Sequence, residues 1–117
     1  MSRFMNFDAT LVLKDGVDFK EVESELLKSD LHYDELLFNS LDNTVQISDV
    51  TPVTSPCRYL KDVQYALNDL RKYVCNGEDA YVIDLDAVWP AGWRFVFKED
   101  GVKCYEGMMI FVEEVKL

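Results

Sequence analysis

Between Ser55-Pro56 and Asn76-Gly77, the residues Leu60, Val63, Leu67, Leu70 and Val74 recur at intervals of three and four. That period belongs to an α-helix with one apolar stripe, and such a stripe needs an apolar layer to pack against. The ends of the segment agree: a hydroxyl cap followed by proline at the first helical position opens it. Asn-Gly supplies a left-handed stop after Arg71 and Lys72 have complemented the helix dipole. TPVTSP, residues 51 to 56, is the loop that leads into this helix and separates the two halves of the chain.

The first half reads as strand, helix and hairpin. Phe7 to Lys14 alternates, with Phe7, Ala9, Leu11 and Leu13 on one face, and Asp15-Gly16 turns the chain. Asp18 then caps a helix, Glu21 completes a capping-box-like pattern, and Phe19, Val22 and Leu26 form its apolar side. ELLFNSL and TVQIS follow, joined by a two-residue turn at Asp42-Asn43. Pairing Leu41 with Thr44 aligns Phe38 with Ile47 and Leu36 with Asp49 on a mostly apolar face, and Leu37 with Ser48 on the other.

After the long helix come strands at Ala80 to Trp89, Trp93 to Glu99, and Val102 to Tyr105 with Met108 to Val115, the last kinked at Gly107. The order is βαββαβ with one or two further strands. It predicts a single α+β domain over residues 1–117, with two helices on one face of a mainly antiparallel sheet. The ferredoxin-like order with an extra C-terminal hairpin or strand is expected, and an α+β roll with another strand order is its rival.

At 117 residues and 49% hydrophobic content, the chain can bury a core without disulfide or metal staples. No apolar run spans a membrane and the N-terminus lacks a signal-peptide pattern, so a cytoplasmic protein is expected, with no membrane partner. Cys57, Cys75 and Cys104 fit neither a disulfide framework nor zinc-ligand spacing, and they read as reduced thiols. The net charge is -10, and residues 1 to 50 hold 11 acids against 4 bases. Direct binding of nucleic acid would work against that charge, whereas a protein with a basic surface complements it.

VIDLDAVWPAGW, residues 82 to 93, carries the pattern most suggestive of chemistry, Asp84 and Asp86 two apart in an apolar run. Folding it through a three-residue loop at Pro90-Ala91-Gly92 pairs Trp89 with Trp93, Asp86 with Val96 and Asp84 with Lys98. Both aspartates then face solvent beside Arg94 and Lys98, as ion pairs and not as a metal or proton-transfer site. Trp89 and Trp93 are left at the tip, either closing the core edge or anchoring a partner.

No phosphate-binding, nucleotide-binding, zinc-protease or serine-hydrolase motif is present, and no cofactor or metal site is expected. Cys57, near the start of the long helix, and His32, the one histidine, leave a small cysteine- or carboxylate-dependent hydrolase as an alternative. The tyrosines at 59, 65 and 73 read as packing rims of the long helix. The dense acids from Asp15 to Glu35, namely Asp15, Asp18, Glu21, Glu23, Glu25, Asp30, Asp34 and Glu35, suggest a steering surface. Together these features favour a non-enzymatic protein-binding module, a stoichiometric inhibitor or immunity or anti-defence protein masking the basic surface of a nuclease or nucleic-acid-handling complex. A self-associating accessory subunit, such as a homodimer joined at an edge strand, is the third reading.

Overall fold

The computed structural model describes residues 3–87 and 91–108. Its elements in chain order are β1 (Arg3–Val12), α1 (Phe19–Lys28), β2 (Glu35–Asn39), β3 (Thr44–Val53) and α2 (Pro56–Asp69), then β4 (Asp79–Asp84), β5 (Ala91–Lys98) and β6 (Gly101–Met108). The six strands make one sheet in the order β2-β3-β1-β4-β5-β6, and every neighbouring pair is antiparallel. The fold is α+β. The link through α1 steps over β3 to reach β2, and the link through α2 steps over β1 to reach β4; β5 and β6 then extend the sheet as a meander.

Period-two patterning assigns the faces. Met5, Phe7, Ala9 and Leu11 of β1 bury one side together with Val45 and Ile47 of β3, Ala80 and Val82 of β4, and Phe95 and Phe97 of β5. Val22 and Leu26 of α1 and Val63, Ala66 and Leu67 of α2 join the same core, so both helices cover this side. The other side carries Phe4, Leu37, Val50, Tyr81 and Tyr105, all about half exposed. Phe19 of α1 stacks on Phe38 of β2 at 4.6 Å between ring centroids. Two amide side chains of α2 hold β6: Gln64 donates to the Val102 carbonyl at 2.9 Å, and Asn68 accepts from the Val102 amide at 3.0 Å.

Several boundaries depart from expectation for local reasons. β1 begins at Arg3, four residues before the predicted start. α1 opens at Asp18, whose carboxylate accepts from the Lys20 amide at 2.9 Å, while Glu21 stays exposed, so only half of the box forms. The β2–β3 hairpin has a four-residue loop, 40–43, in place of two, and pairs Phe38 with Val45 and Leu36 with Ile47. Asn39 sets it by accepting from the amides of Leu41 at 2.9 Å and Asp42 at 3.2 Å, and Asn43 takes the left-handed turn position at φ 54. Because the slip is two residues, the faces are kept.

α2 starts at Pro56 as predicted, although the Ser55 side chain makes no capping bond, and it stops at Asp69 instead of running to Val74. There the backbone turns, Val74 forms a bridge with Leu13, and Lys14 donates to the Tyr73 carbonyl, so Leu70 and Val74 stay buried without being helical. β6 runs unbroken through Gly107, where a kink was expected, as far as Met108. The predicted strand beyond it, to Val115, lies outside the described residues.

Candidate functional site

The register of β4 and β5 corrects the reading of Asp84 and Asp86. β4 ends at Asp84, which pairs with Ala91, and Val82 faces Trp93. Lys98 pairs with Gly101 of β6 instead. The pairing is displaced by an odd number of residues, which exchanges the faces. Asp84 therefore falls on the core side, 6% exposed, and is held by Arg3 at 2.7 Å. Its other oxygen accepts from the Asp86 amide at 3.0 Å, and Asp86 accepts from the Phe4 amide. Arg94 pairs with Asp79 at 2.8 Å, and Lys98 donates to the Tyr105 hydroxyl. The D-x-D pattern ties the start of β1 to the end of β4.

A second pair of acids forms the more chemical arrangement. In β3, Asp49 shares the inward parity of Val45, Ile47 and Val53, and it is 2% exposed. His32, in the loop between α1 and β2, places Nδ1 3.1 Å from Asp49 Oδ1. The ligand atoms of His32, Asp34 and Asp49 all lie within 4.8 Å of one another. Two buried polar atoms beside them, Asp49 Oδ2 and the Tyr59 hydroxyl, find no hydrogen-bond partner among the described residues. Burial, and then the Asp34 carboxylate, raise Asp49 above the ordinary carboxylate range against the opposing influence of His32. Burial and the Asp49 charge likewise push the Tyr59 phenol well above its usual value.

The signal for this site was present in the strand pattern, since Leu36 and Asp49 fall on one apolar face even in the predicted hairpin. A carboxylate at an inward position needs a partner, and His32 is too distant in sequence to be assigned by spacing.

The acidic segment is distributed around α1 and its two loops. Asp15, Asp18, Glu21, Glu23, Asp30, Asp34 and Glu35 are exposed and Glu25 is half-buried. Of the eight, Glu25 alone takes part in a salt bridge to a lysine or arginine among the described residues, with Lys72 at 3.4 Å. Trp93 is half-buried and packs against the core, whereas Trp89 lies outside the described residues. Cys57 is exposed on the first turn of α2, and the imidazole of His32 is engaged by Asp49. Of the helix tyrosines, Tyr59 packs on the core, Tyr65 is exposed and Tyr73 lies beyond the end of α2.

On the sheet face away from the helices, Gly92 and Gly107 sit opposite each other. Two missing side chains in one row leave a mainly apolar hollow of about 240 Å³ walled by Tyr81, Ile83, Arg94 and Tyr105. Among the described residues, no helix is long and apolar enough to cross a membrane. In comparisons with known proteins, no family model, no curated protein and no solved structure matches the chain.

Proposed function

We propose that the chain is a non-enzymatic protein-binding module whose acidic segment, from Asp15 to Glu35, meets the basic surface of a partner. The observation that carries this reading is the exposure of seven of the eight acids, with one lysine salt bridge among them in the described residues. Carboxylates left facing water generate a potential that speeds encounter with a basic groove and rejects acidic competitors. An inhibitor or immunity-type protein would act by stoichiometric occlusion, its acids taking the positions that nucleic-acid phosphates would occupy. With this goes a finer reading of the fold, in which β1 to β4 and the two helices form a ferredoxin-like core, supported by the position of β3 between β1 and β2.

The test is the association rate with a basic partner captured from the native host, measured at low and high salt. Reversing Glu21, Glu23 and Asp30 to lysine should slow association by an order of magnitude or more and flatten its salt dependence. An unchanged salt dependence overturns the mechanism. Glu25 is left alone because it holds Lys72.

Self-association is the second reading, favoured by the half-exposed Phe4, Leu37, Val50, Tyr81 and Tyr105 on the sheet face away from the helices. Sedimentation over a range of concentrations separates the two, since an occluding inhibitor remains a monomer in the absence of its partner.

A further inference from the structure

We propose that His32, Asp34 and Asp49 form a binding site for one divalent first-row transition ion, held by the His32 Nδ1 and one oxygen from each carboxylate. The separation of His32 Nδ1 from Asp49 Oδ1, 3.1 Å, is that of two ligand atoms sharing one ion. Ligands about 2.0 to 2.2 Å from a metal stand roughly 3 to 3.5 Å apart when adjacent in its coordination shell. The Asp34 carboxylate lies within 4.8 Å of both other ligand atoms and closes the third corner with a side-chain rotation.

The independent observation is Asp49 itself. Its side chain is fully buried, and its Oδ2 has no donor among the described residues. A carboxylate withdrawn from water and offered a donor on only one oxygen is costly, and a cation at the cluster offsets the buried negative charge. Asp34 brings a second acid to the same point, which adds repulsion unless positive charge lies between them.

The protein also positions these groups before any ion arrives. Leu31 is buried and its amide donates to Ser29 Oγ, which anchors one side of His32. On the other side Tyr33 packs on the core, and the Asp34 amide donates to the Ser48 carbonyl at 3.0 Å. Asp49 is fixed in β3 as the floor, while His32 and Asp34 form an exposed rim. The arrangement has three protein ligands with solvent access to the remaining positions.

The donor set selects the ion. An imidazole nitrogen argues against calcium, which takes oxygen ligands, and against magnesium, which keeps its waters. One nitrogen and two carboxylates suit borderline ions of the manganese, iron and zinc kind. On binding, the ion takes the Nδ1 lone pair, any proton there passes to solvent, and Nε2 keeps its hydrogen toward water.

Manganese(II) is the probe of choice, because the chain has three free thiols that would compete for zinc. Paramagnetic broadening of amide resonances should be centred on His32, Asp34 and Asp49 and saturate at one equivalent. His32→Gln and Asp34→Asn, both at exposed positions that leave the core intact, should each weaken it at least tenfold. Broadening spread over the acids of α1, or unchanged in both variants, would show only diffuse attraction to an acidic surface and would overturn the site. Absence of localised broadening would also overturn it.

Discussion

Arg3, the first residue of β1, lies 2.7 Å from the carboxylate of Asp84, the last residue of β4. Asp84 is nearly buried while the Arg3 side chain is about half exposed, so the arginine brings charge to an acid that cannot reach water freely. Removing the cation should therefore cost more than removing both charges. Arg3→Ala is expected to lower unfolding free energy by about 1 to 2 kcal/mol. Asp84→Asn added to it should recover part of that loss, because an amide is less costly to bury than an unpaired carboxylate. Urea unfolding of the two single variants and the double variant closes the cycle; simple additivity would show that the pair is not coupled.

The same contact marks the limit of what patterning reveals. The alternation of Phe7, Ala9, Leu11 and Leu13, and the three-and-four spacing of Leu60, Val63 and Leu67, locate core faces correctly because burial is periodic. Register is not periodic. The β4–β5 pairing depends on where β4 ends, and its end at Asp84 is fixed beside β1, where the Leu85 amide donates to the Phe4 carbonyl, a contact between residues 81 apart in the chain. Charged partners follow the register, so Arg94 pairs with Asp79 and Lys98 donates to Tyr105, not to the aspartates of the D-x-D pattern. Asp49 was legible as an inward acid, but His32 reaches it only through the α1–β2 loop.

Gly92 and Gly107 stand opposite each other, yet they should respond differently to a methyl group. A Cβ at Gly92 would lie 3.1 Å from the Val82 carbonyl oxygen, a backbone atom, whereas one at Gly107 would meet nothing within 4 Å. Gly92→Ala should destabilise by about 1 kcal/mol or more through overpacking. Gly107→Ala should stay within about 0.5 kcal/mol of the parent. Thermal unfolding of both proteins checks the order; equal effects would mean that the sheet relaxes freely at Gly92.

Tyr81 and Arg94 share one acceptor. The Tyr81 hydroxyl donates to Asp79 Oδ2 at 2.9 Å and the Arg94 Nε donates to the same oxygen at 2.8 Å. The bond to Asp79 is the main cause that raises the Tyr81 phenol above its ordinary value near 10.0. Folding thus favours the protonated phenol. Its stabilising contribution is fully present below the unfolded value and is lost as the pH rises through the folded one. Asp79→Asn should bring the Tyr81 midpoint down in a ring-carbon NMR titration, and the parent protein should lose stability in that alkaline window. A midpoint unmoved by the substitution would assign the shift elsewhere.

Asn68 gives the sharpest test of how the C-terminal strands are attached. Its side-chain oxygen accepts from the amide of Val102, which is 2% exposed and sits where β6 begins. Asn68→Ala deletes the acceptor without supplying another, leaving a buried N–H unsatisfied at a cost of about 1 to 3 kcal/mol. Asn68→Asp keeps an oxygen at the same place and should retain most of the stability, since a carboxylate accepts from a backbone amide at least as well. Gln64, which donates to the Val102 carbonyl, holds the same residue from its other side. Native-state hydrogen exchange should therefore show faster exchange in β6 than in β1 for Asn68→Ala, because the loosened contact lies between α2 and the outer strand while the β1–β3 pairing is untouched. Uniform acceleration across the sheet would mean that α2 and β6 unfold only with the whole domain, and that Asn68 contributes to global stability instead of to a local attachment.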